Sequence, residues 1–335
     1  IRRPPRSTQG VSSAASDVYK RQPVQRTLKQ KISLEGIGLH SGKASKMTLS
    51  PAPLDSGIVF RRKTNGHVES CQASIRNLRP TELCTTIGSN GFQIQTTEHI
   101  LSALWGMHID NAYIDINSEE IPAMDGSAAP FVKMIHASGI TAQERPRTYL
   151  KIIKPLHVGD HCRGVSILPS ATPKITYSVD YDHVMIQQQT IEYDWSPKAF
   201  QHTIAEARTF AFSQEIEALW ARGLGQGGSL DNTIIFSESG VLNEQGLRFP
   251  DECVRHKVLD LIGDLALLGL PIIGHVFADR SGHFLHNQLV QMILDNPDTW
   301  ILVGSQHTES SKFTNGSSNG KKTCHAVPLS ASSAA

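Results

Sequence analysis

The sequence has no apolar run long enough to span a membrane and no large excess of charge of either sign. Its longest apolar stretch, near residues 265–273, is broken by Gly269 and Pro271, whereas a spanning helix needs about 18 apolar residues. The formal net charge of the 335 residues is +1, which excludes the basic composition typical of nucleic-acid binders. We therefore expect no transmembrane segment, no nucleic-acid partner, and a small or amphipathic ligand.

The cysteines are few, odd in number and scattered along the sequence. The chain has five cysteines without any CxxC spacing: Cys71, Cys84, Cys162, Cys253 and Cys324. This pattern argues against both a disulfide framework and a zinc site made of cysteines, and it fits the reducing environment of a cytoplasm.

The two ends differ in composition from the rest. Residues 1–23 lack an initiator Met, an apolar stretch and any periodicity, so they do not form a secretory signal. Their Arg- and Ser-rich composition fits an organelle transit peptide, but the string also resembles translated sequencing-adapter sequence, and we prefer that interpretation. Residues 304–335 are rich in Ser, Asn, Lys and Ala, which predicts a disordered tail.

Between these ends the chain repeats one plan. In residues 24–144, short alternating strands lead into the helix TTEHILSALWG, capped by Thr96 or Thr97, and then into a strand and a second helix. A segment around 143–148 without apolar periodicity is the predicted linker. Residues 148–303 follow the same order, so we predict an α+β fold of two similar domains with a site between them.

The strongest chemical signal lies on the longest predicted helix, DECVRHKVLDLIGDLALLG. His256, Asp260 and Asp264 are spaced four residues apart and therefore share one face of that helix. The remaining positions are very apolar, and charges in such surroundings need a metal or a partner. Spacing alone fits a metal-chelating face and a salt-bridged exposed face equally well.

A second signal, Glu98-His99, begins the first predicted helix. Catalytic zinc usually has three protein ligands with nitrogen or oxygen donors, and His99 would complete a set with His256 and Asp260. Glu98 beside it could then take a proton from the attacking water. By itself the pair is weak, because Glu at a helix N-terminus also complements the helix dipole.

Two further segments carry weaker signals. His283 follows Ser281 and Gly282 in a predicted turn, where it could stabilise an oxyanion or protonate an amine, although an isolated histidine is more simply a surface residue. The glycine-rich residues 223–228 match neither a Walker A loop nor a GxGxxG after a strand, so we interpret them as a flexible loop. The apolar residues from Phe210 to Trp220 fit either ordinary core or an acyl-chain groove.

Nine strings, in order from about Gln25 to Val303, resemble the family of UDP-3-O-acyl-N-acetylglucosamine deacetylases, LpxC: GIGLHSG, LCTTIG, TTEHILSALWG, DNAYIDIN, EIPAMDGSAAPFV, ARTFAF, RGLGQGGSLDN, LRFPDECVRHKVLDLIGD and SGHFLHNQLV. The resemblance implies zinc in a cleft between two α+β domains. It also implies hydrolysis of the N-acetyl group of UDP-3-O-acyl-N-acetylglucosamine, with release of acetate, in bacterial lipid A synthesis. We expect a cytoplasmic monomer that meets membranes only peripherally, through its lipid substrate.

By the same resemblance, the zinc ligands are His99, His256 and Asp260, and the general base is Glu98. Cys84 matches a family cysteine that can bind a surplus inhibitory metal and is not a catalytic ligand.

The resemblance further implies that His283 is the general acid or oxyanion stabiliser, oriented by Asp264, and that Thr209 donates to the oxyanion. Lys257 is expected at the polar head group of the substrate. Phe210 and Phe212 are expected beside the acyl passage, whose wall is a family insert at about residues 210–232.

Other function classes fit less well. A zinc peptidase uses similar chemistry, but the sequence has no HExxH and its candidate ligands come from separate halves. A non-catalytic lipid or sugar-nucleotide binder would not need Glu98 and His283 beside a metal. A transport or scaffold role is not supported, because the sequence has no repeat array and no large charge patch.

Overall fold

The computed structural model describes residues 23–304, except for residues 65, 81 and 90. The predictions for the N-terminal segment and the tail fall almost entirely outside these residues. Within them, the strands and helices form two halves of the same plan.

In the first half the strands are β1 (Val24–Leu28), β2 (Ile32–Ile37), β3 (Ala44–Pro51), β4 (Ile58–Thr64), β5 (His67–Gln72), β6 (Leu78–Arg79), β7 (Thr86–Ser89), β8 (Phe92–Ile94), β9 (Ala112–Ile116) and β10 (Ile140–Pro146). The α-helices there are α1 (Glu98–Gly106) and α2 (Ala129–Ser138).

In the second half the strands are β11 (Tyr149–Ile152), β12 (Leu156–Gly159), β13 (Gly164–Leu168), β14 (Lys174–Tyr181), β15 (Gln187–Asp194), β16 (Phe210–Phe212), β17 (Ile234–Phe236), β18 (Ile272–Ile273), β19 (His275–Asp279) and β20 (Trp300–Val303). The α-helices there are α3 (Pro197–Ala199), α4 (Ile216–Ala221), α5 (Glu252–Leu265) and α6 (His283–Asp295).

The two main sheets have the same topology. Each has five strands, in the orders β2-β3-β9-β4-β5 and β12-β13-β19-β14-β15. In each sheet the neighbours are antiparallel except for one parallel pair, β4 with β9 and β14 with β19. In each sheet, the strand that comes last in the sequence lies between two helices along the chain. The helices α1 and α2 flank β9, and α5 and α6 flank β19. The predicted α+β fold of two similar halves is therefore confirmed.

The predicted linker is not irregular chain. Most of it lies in β10, which pairs antiparallel with β1 through contacts such as Thr27 with Thr141 and Leu28 with Ile140. None of the residues of β10 is fully buried, so the strand needs no apolar alternation, which explains why the sequence did not predict a strand here. The domain boundaries at 144 and 148 remain predictions.

The helices α1 and α5 pack against each other where Gly263 faces the carbonyl of Glu98. A Cβ at Gly263 would lie 2.2 Å from Glu98 O, so only glycine permits this approach. The apolar residues Ile100, Leu101 and Leu104 of α1 are fully buried, as their helical spacing predicts. This contact places the start of α1 beside the polar face of α5.

The predicted side-chain cap of α1 is wrong. Thr97 lies at the N-cap but makes no capping hydrogen bond, because its Oγ1 donates instead to the carbonyl of Thr85 at 3.0 Å. Thr96 Oγ1 donates to Glu120 Oε1 at 3.0 Å. Both hydroxyls are buried and are occupied by these hydrogen bonds, so neither caps the helix.

We expect Gly263→Ala to lower the free energy of unfolding by about 1–3 kcal/mol, because the added methyl overpacks the contact between α1 and α5. The same change in an unobstructed helix would stabilise by up to about 1 kcal/mol. Denaturant unfolding measures the difference, and Gly240→Ala, where the nearest atom to an added Cβ is 4.0 Å away, is the control. Unfolding of Gly263→Ala at or above the wild-type denaturant concentration would contradict the prediction.

The glycine-rich segment is docked against the first half. Gly227 N donates to Leu39 O at 3.0 Å, and Gln226 N donates to His40 O at 3.1 Å. A Cβ at Gly227 would lie 2.1 Å from Gly38 O, so only glycine lets these two segments of the chain approach each other so closely. The flexible-loop interpretation of residues 223–228 therefore gives way to a packed connection between the halves.

Candidate active site

Three predicted metal ligands converge at the contact between α1 and α5. His99 on α1, and His256 and Asp260 on α5, are all buried, and their ligand atoms lie within 4.8 Å of one another. Asp260 Oδ1 is 3.7 Å from His99 Nε2 and 3.4 Å from His256 Nε2. Both separations exceed the usual length of a hydrogen bond, and the three ligand atoms lie close enough together to bind one metal ion.

The protonation of these groups suits a divalent metal. His256 Nδ1 is 3.0 Å from Ala207 O and donates to it, which leaves the Nε2 lone pair directed into the cluster. Burial lowers the pKa of His256 to about 4, so the ring is neutral near pH 7. Burial opposes ionisation of Asp260, but His256, His99 and Lys257 outweigh it and hold the pKa of this carboxyl well below its usual range. The neutral imidazole of His256 and the carboxylate of Asp260, together with the imidazole of His99, fit a three-ligand site with an open fourth position.

Glu98 lies beside this cluster and is 3% exposed. Its Oε2 accepts the backbone N–H of Thr85 at 2.9 Å, and its Oε1 is 3.9 Å from His283 Nε2. Burial raises the pKa of Glu98, against the opposing influence of His283 and His99. A carboxylate with a raised pKa is a better proton acceptor near neutral pH than an ordinary surface glutamate.

A second cluster adjoins the first and is organised by Asp264. Its Oδ2 accepts from His283 Nδ1 at 2.7 Å and from His286 Nδ1 at 2.8 Å, and its Oδ1 accepts from Thr85 Oγ1 at 2.5 Å. His286 Nε2 in turn meets Ser281 Oγ at 2.9 Å. Three donors hold this fully buried carboxylate in its ionised form.

His283 is a cation in this setting. Burial alone would lower its pKa, but the charge and hydrogen bond of Asp264, together with Glu98 and Asp260, outweigh burial and raise the pKa to about 10. The ring therefore carries a proton on Nε2 near neutral pH. It is the first residue of α6, after the Gly282 N-cap, so the predicted turn ends one residue before it.

Two of the remaining predicted residues, Lys257 and Phe210, lie beside the first cluster, and Phe212 and Thr209 are close to Phe210 in the chain. Lys257 Nζ is 3.6 Å from Asp260 Oδ2 and 5.7 Å from the centroid of the Phe210 ring. Phe210 and Phe212 lie in β16 and have ring centroids 6.4 Å apart. Thr209 precedes this strand, and its backbone N–H donates to Gly126 O at 2.9 Å. The two clusters together contain residues from both halves of the chain.

Sequence reasoning missed two members of the site. Thr85 lies in the string LCTTIG, where nothing distinguishes it from neighbouring threonines. His286 follows His283 by three residues, and this helical spacing could have revealed it, because side chains three apart share a helix face.

The exposed salt-bridge interpretation of the α5 stripe is wrong. All three of its acidic and imidazole side chains are buried. The stripe is also divided, since His256 and Asp260 join the first cluster whereas Asp264 joins the second.

Cys84 lies at the edge of the site, with its Sγ 3.8 Å from Thr86 Oγ1. Burial, followed by the charge of Glu98, raises the pKa of this thiol to about 12. The group is therefore a neutral thiol near pH 7, whereas a cysteine binds metals as the thiolate.

Within the described part of the chain, no helix is both long and apolar enough to cross a membrane.

Comparison with known proteins agrees with this arrangement. The family model for LpxC, UDP-3-O-acyl N-acetylglycosamine deacetylase, matches residues 25–295. A UDP-3-O-acyl-N-acetylglucosamine deacetylase of Syntrophotalea carbinolica is 45% identical over 286 residues, which cover 85% of this chain and 93% of the relative. The enzyme of the same name from Syntrophus aciditrophicus is 43% identical over 276 residues, which cover 82% and 88%. The matched region includes both clusters, and the chain belongs to the UDP-3-O-acyl N-acetylglycosamine deacetylase family.

Proposed function

We propose that this enzyme hydrolyses the N-acetyl group of UDP-3-O-acyl-N-acetylglucosamine and releases acetate, as a step of lipid A biosynthesis, with Zn²⁺ bound by His99, His256 and Asp260. The observation that carries the proposal is the meeting of this buried ligand set with Glu98 and the Asp264–His283 pair. Bound zinc would polarise the acetyl carbonyl and make water a better nucleophile.

Glu98 and His283 supply the proton transfers. Glu98 Oε1 and His283 Nε2 are 3.9 Å apart, so both reach the same small volume. Glu98 takes the proton of the attacking water, and the protonated His283 Nε2 donates to the nitrogen of the leaving amine. Against the effect of burial, Asp264 raises the pKa of His283 and so holds the proton of the acid, whereas burial raises the pKa of Glu98 and so strengthens it as a base.

Thr209 is the proposed hydrogen-bond donor to the developing oxyanion. Its backbone is fixed on both sides, since its N–H donates to Gly126 O at 2.9 Å and its carbonyl accepts from Ile234 N at 2.8 Å. A half-buried hydroxyl on a fixed backbone costs little reorganisation when it donates.

The acyl chain is proposed to lie along the insert at 210–232. This insert is the connection between the parallel strands β16 and β17, and it contains α4, in which no residue is buried. Trp220, one of the apolar residues that fit either a core or an acyl-chain groove, is 54% exposed. An exposed apolar helix at this place supports a groove for an acyl chain rather than an ordinary core element.

Lys257 is proposed to meet the polar head group. It faces Phe210, whose ring is 5.6 Å from that of Tyr181, and Tyr181 lines an open cavity of about 470 Å³.

We further propose that the protein works as a cytoplasmic monomer and contacts membranes only through its lipid substrate.

The direct test is an acetate-release assay on UDP-3-O-acyl-N-acetylglucosamine, with metal analysis of the same preparation. We expect acetate release that is lost on chelation and restored by Zn²⁺. Binding of the substrate without acetate release would favour a non-catalytic binder, and cleavage of peptides would favour a zinc peptidase.

The alkaline limb of the pH profile provides a second prediction. A required proton on His283 is present below its pKa and lost as pH rises through about 10. In Asp264→Asn the carboxylate charge is gone and burial lowers the pKa of His283, so kcat/KM should fall at lower pH than in the wild type. Asp298→Asn, an exposed surface change, is the control. Superposable wild-type and Asp264→Asn profiles would remove Asp264 from this role.

A further inference from the structure

We infer that Thr85 is a positioning residue that couples the general base to the Asp264–His283 pair across the contact between the two halves. The inference rests on the proposed deacetylation. Thr85 comes from the loop before β7 in the first half, and it is 1% exposed. Its backbone and its side chain bind carboxylates from different halves of the molecule.

The backbone of Thr85 holds the base. Its N–H donates to Glu98 Oε2 at 2.9 Å, which leaves Oε1 directed towards His283. Its carbonyl accepts from both Thr97 N at 3.1 Å and Thr97 Oγ1 at 3.0 Å, immediately before Glu98 in the chain. These contacts tie the loop to the start of α1.

The side chain of Thr85 holds the acid. Its Oγ1 donates to Asp264 Oδ1 at 2.5 Å, within the short range of hydroxyl-to-carboxylate hydrogen bonds. The same oxygen is 3.2 Å from His283 Nδ1, which donates to Asp264 Oδ2. A hydroxyl that meets both members of the pair fixes the plane of the carboxylate and so the direction of the imidazole.

One residue therefore sets the separation of two proton-transferring groups that belong to different halves. A misplacement of about 1 Å between reacting groups can cost about 100-fold in rate. Thr85 itself is buried behind Glu98 and Asp264, so its loss should affect turnover much more than substrate binding.

The test compares Thr85→Val with Thr85→Ser in the full-length zinc-loaded enzyme. Valine keeps the shape and the backbone N–H but removes the hydroxyl, so we expect kcat to fall about 10- to 100-fold with little change in KM. Serine keeps the hydroxyl and should restore most of the turnover. Zinc content and the thermal unfolding midpoint are measured for each variant to exclude loss of the metal or of the fold.

Thr86→Val is the matched control. Thr86 is the neighbouring residue and is fully buried, but its hydroxyl lies near Cys84 Sγ rather than Asp264. We expect its kcat to stay close to that of the wild type. Wild-type kcat in Thr85→Val, or an equal loss in Thr86→Val, would overturn the inference.

Proton NMR of the imidazole N–H groups tests the same contact without an activity assay. The resonances of His283 and His286 that arise from their bonds to Asp264 should shift in Thr85→Val and not in Thr86→Val. Unshifted resonances in Thr85→Val would overturn the inference. Failure of the wild type to release acetate would instead contradict the proposed function.

Discussion

Replacement of Glu98 by Gln is expected to lower turnover by about 10²- to 10⁴-fold while the metal stays bound. The amide has nearly the shape of the carboxylate and can still accept the N–H of Thr85, so the start of α1 should keep its place. It cannot accept the proton of the attacking water. The loss should therefore appear in kcat, with zinc stoichiometry and KM near their wild-type values.

The measurement combines steady-state acetate release with metal analysis of the purified variant. Glu119→Gln is a matched control, because this glutamate lies in the bend after β9, is exposed, and pairs with Arg62 at 3.9 Å. Turnover of Glu98→Gln at the wild-type level would remove Glu98 from the mechanism, whatever its position beside the ligands.

Replacement of His256 or Asp260 by Ala is expected to abolish both metal binding and activity. Each change removes one of three ligand atoms that lie within 4.8 Å of one another, and two remaining ligands are fewer than catalytic zinc sites use. The effect should differ in kind from that of Glu98→Gln, because here activity is lost together with the metal.

Metal analysis after dialysis gives the stoichiometry of each variant, and circular dichroism shows whether the fold remains. His136→Ala is the control, since His136 lies on α2 and its Nε2 contacts only the Gln201 side chain at 2.6 Å. One zinc per chain in purified His256→Ala or Asp260→Ala would overturn the ligand assignment.

Local periodicity predicted the elements that carry the site. The four-residue spacing of His256, Asp260 and Asp264 requires a shared helix face, and α5 has it. The repeated order of strands and helices likewise predicted two similar halves, and the two five-stranded sheets share one topology. These features depend on neighbours within a few residues, which a sequence displays directly.

Contacts between distant segments could not be predicted in this way. The spacing left open whether the α5 stripe was exposed, and only the packing of α1 on Gly263 buries it and brings His99 to Asp260. Only the fold joins Asp264 to Thr85 and His286. The sequence by itself determined which side chains were available and which helix faces they shared. The tertiary structure decided their pairing, because hydrogen bonds and ligand distances between the halves depend on the docking of α1 against α5 and not on any local pattern.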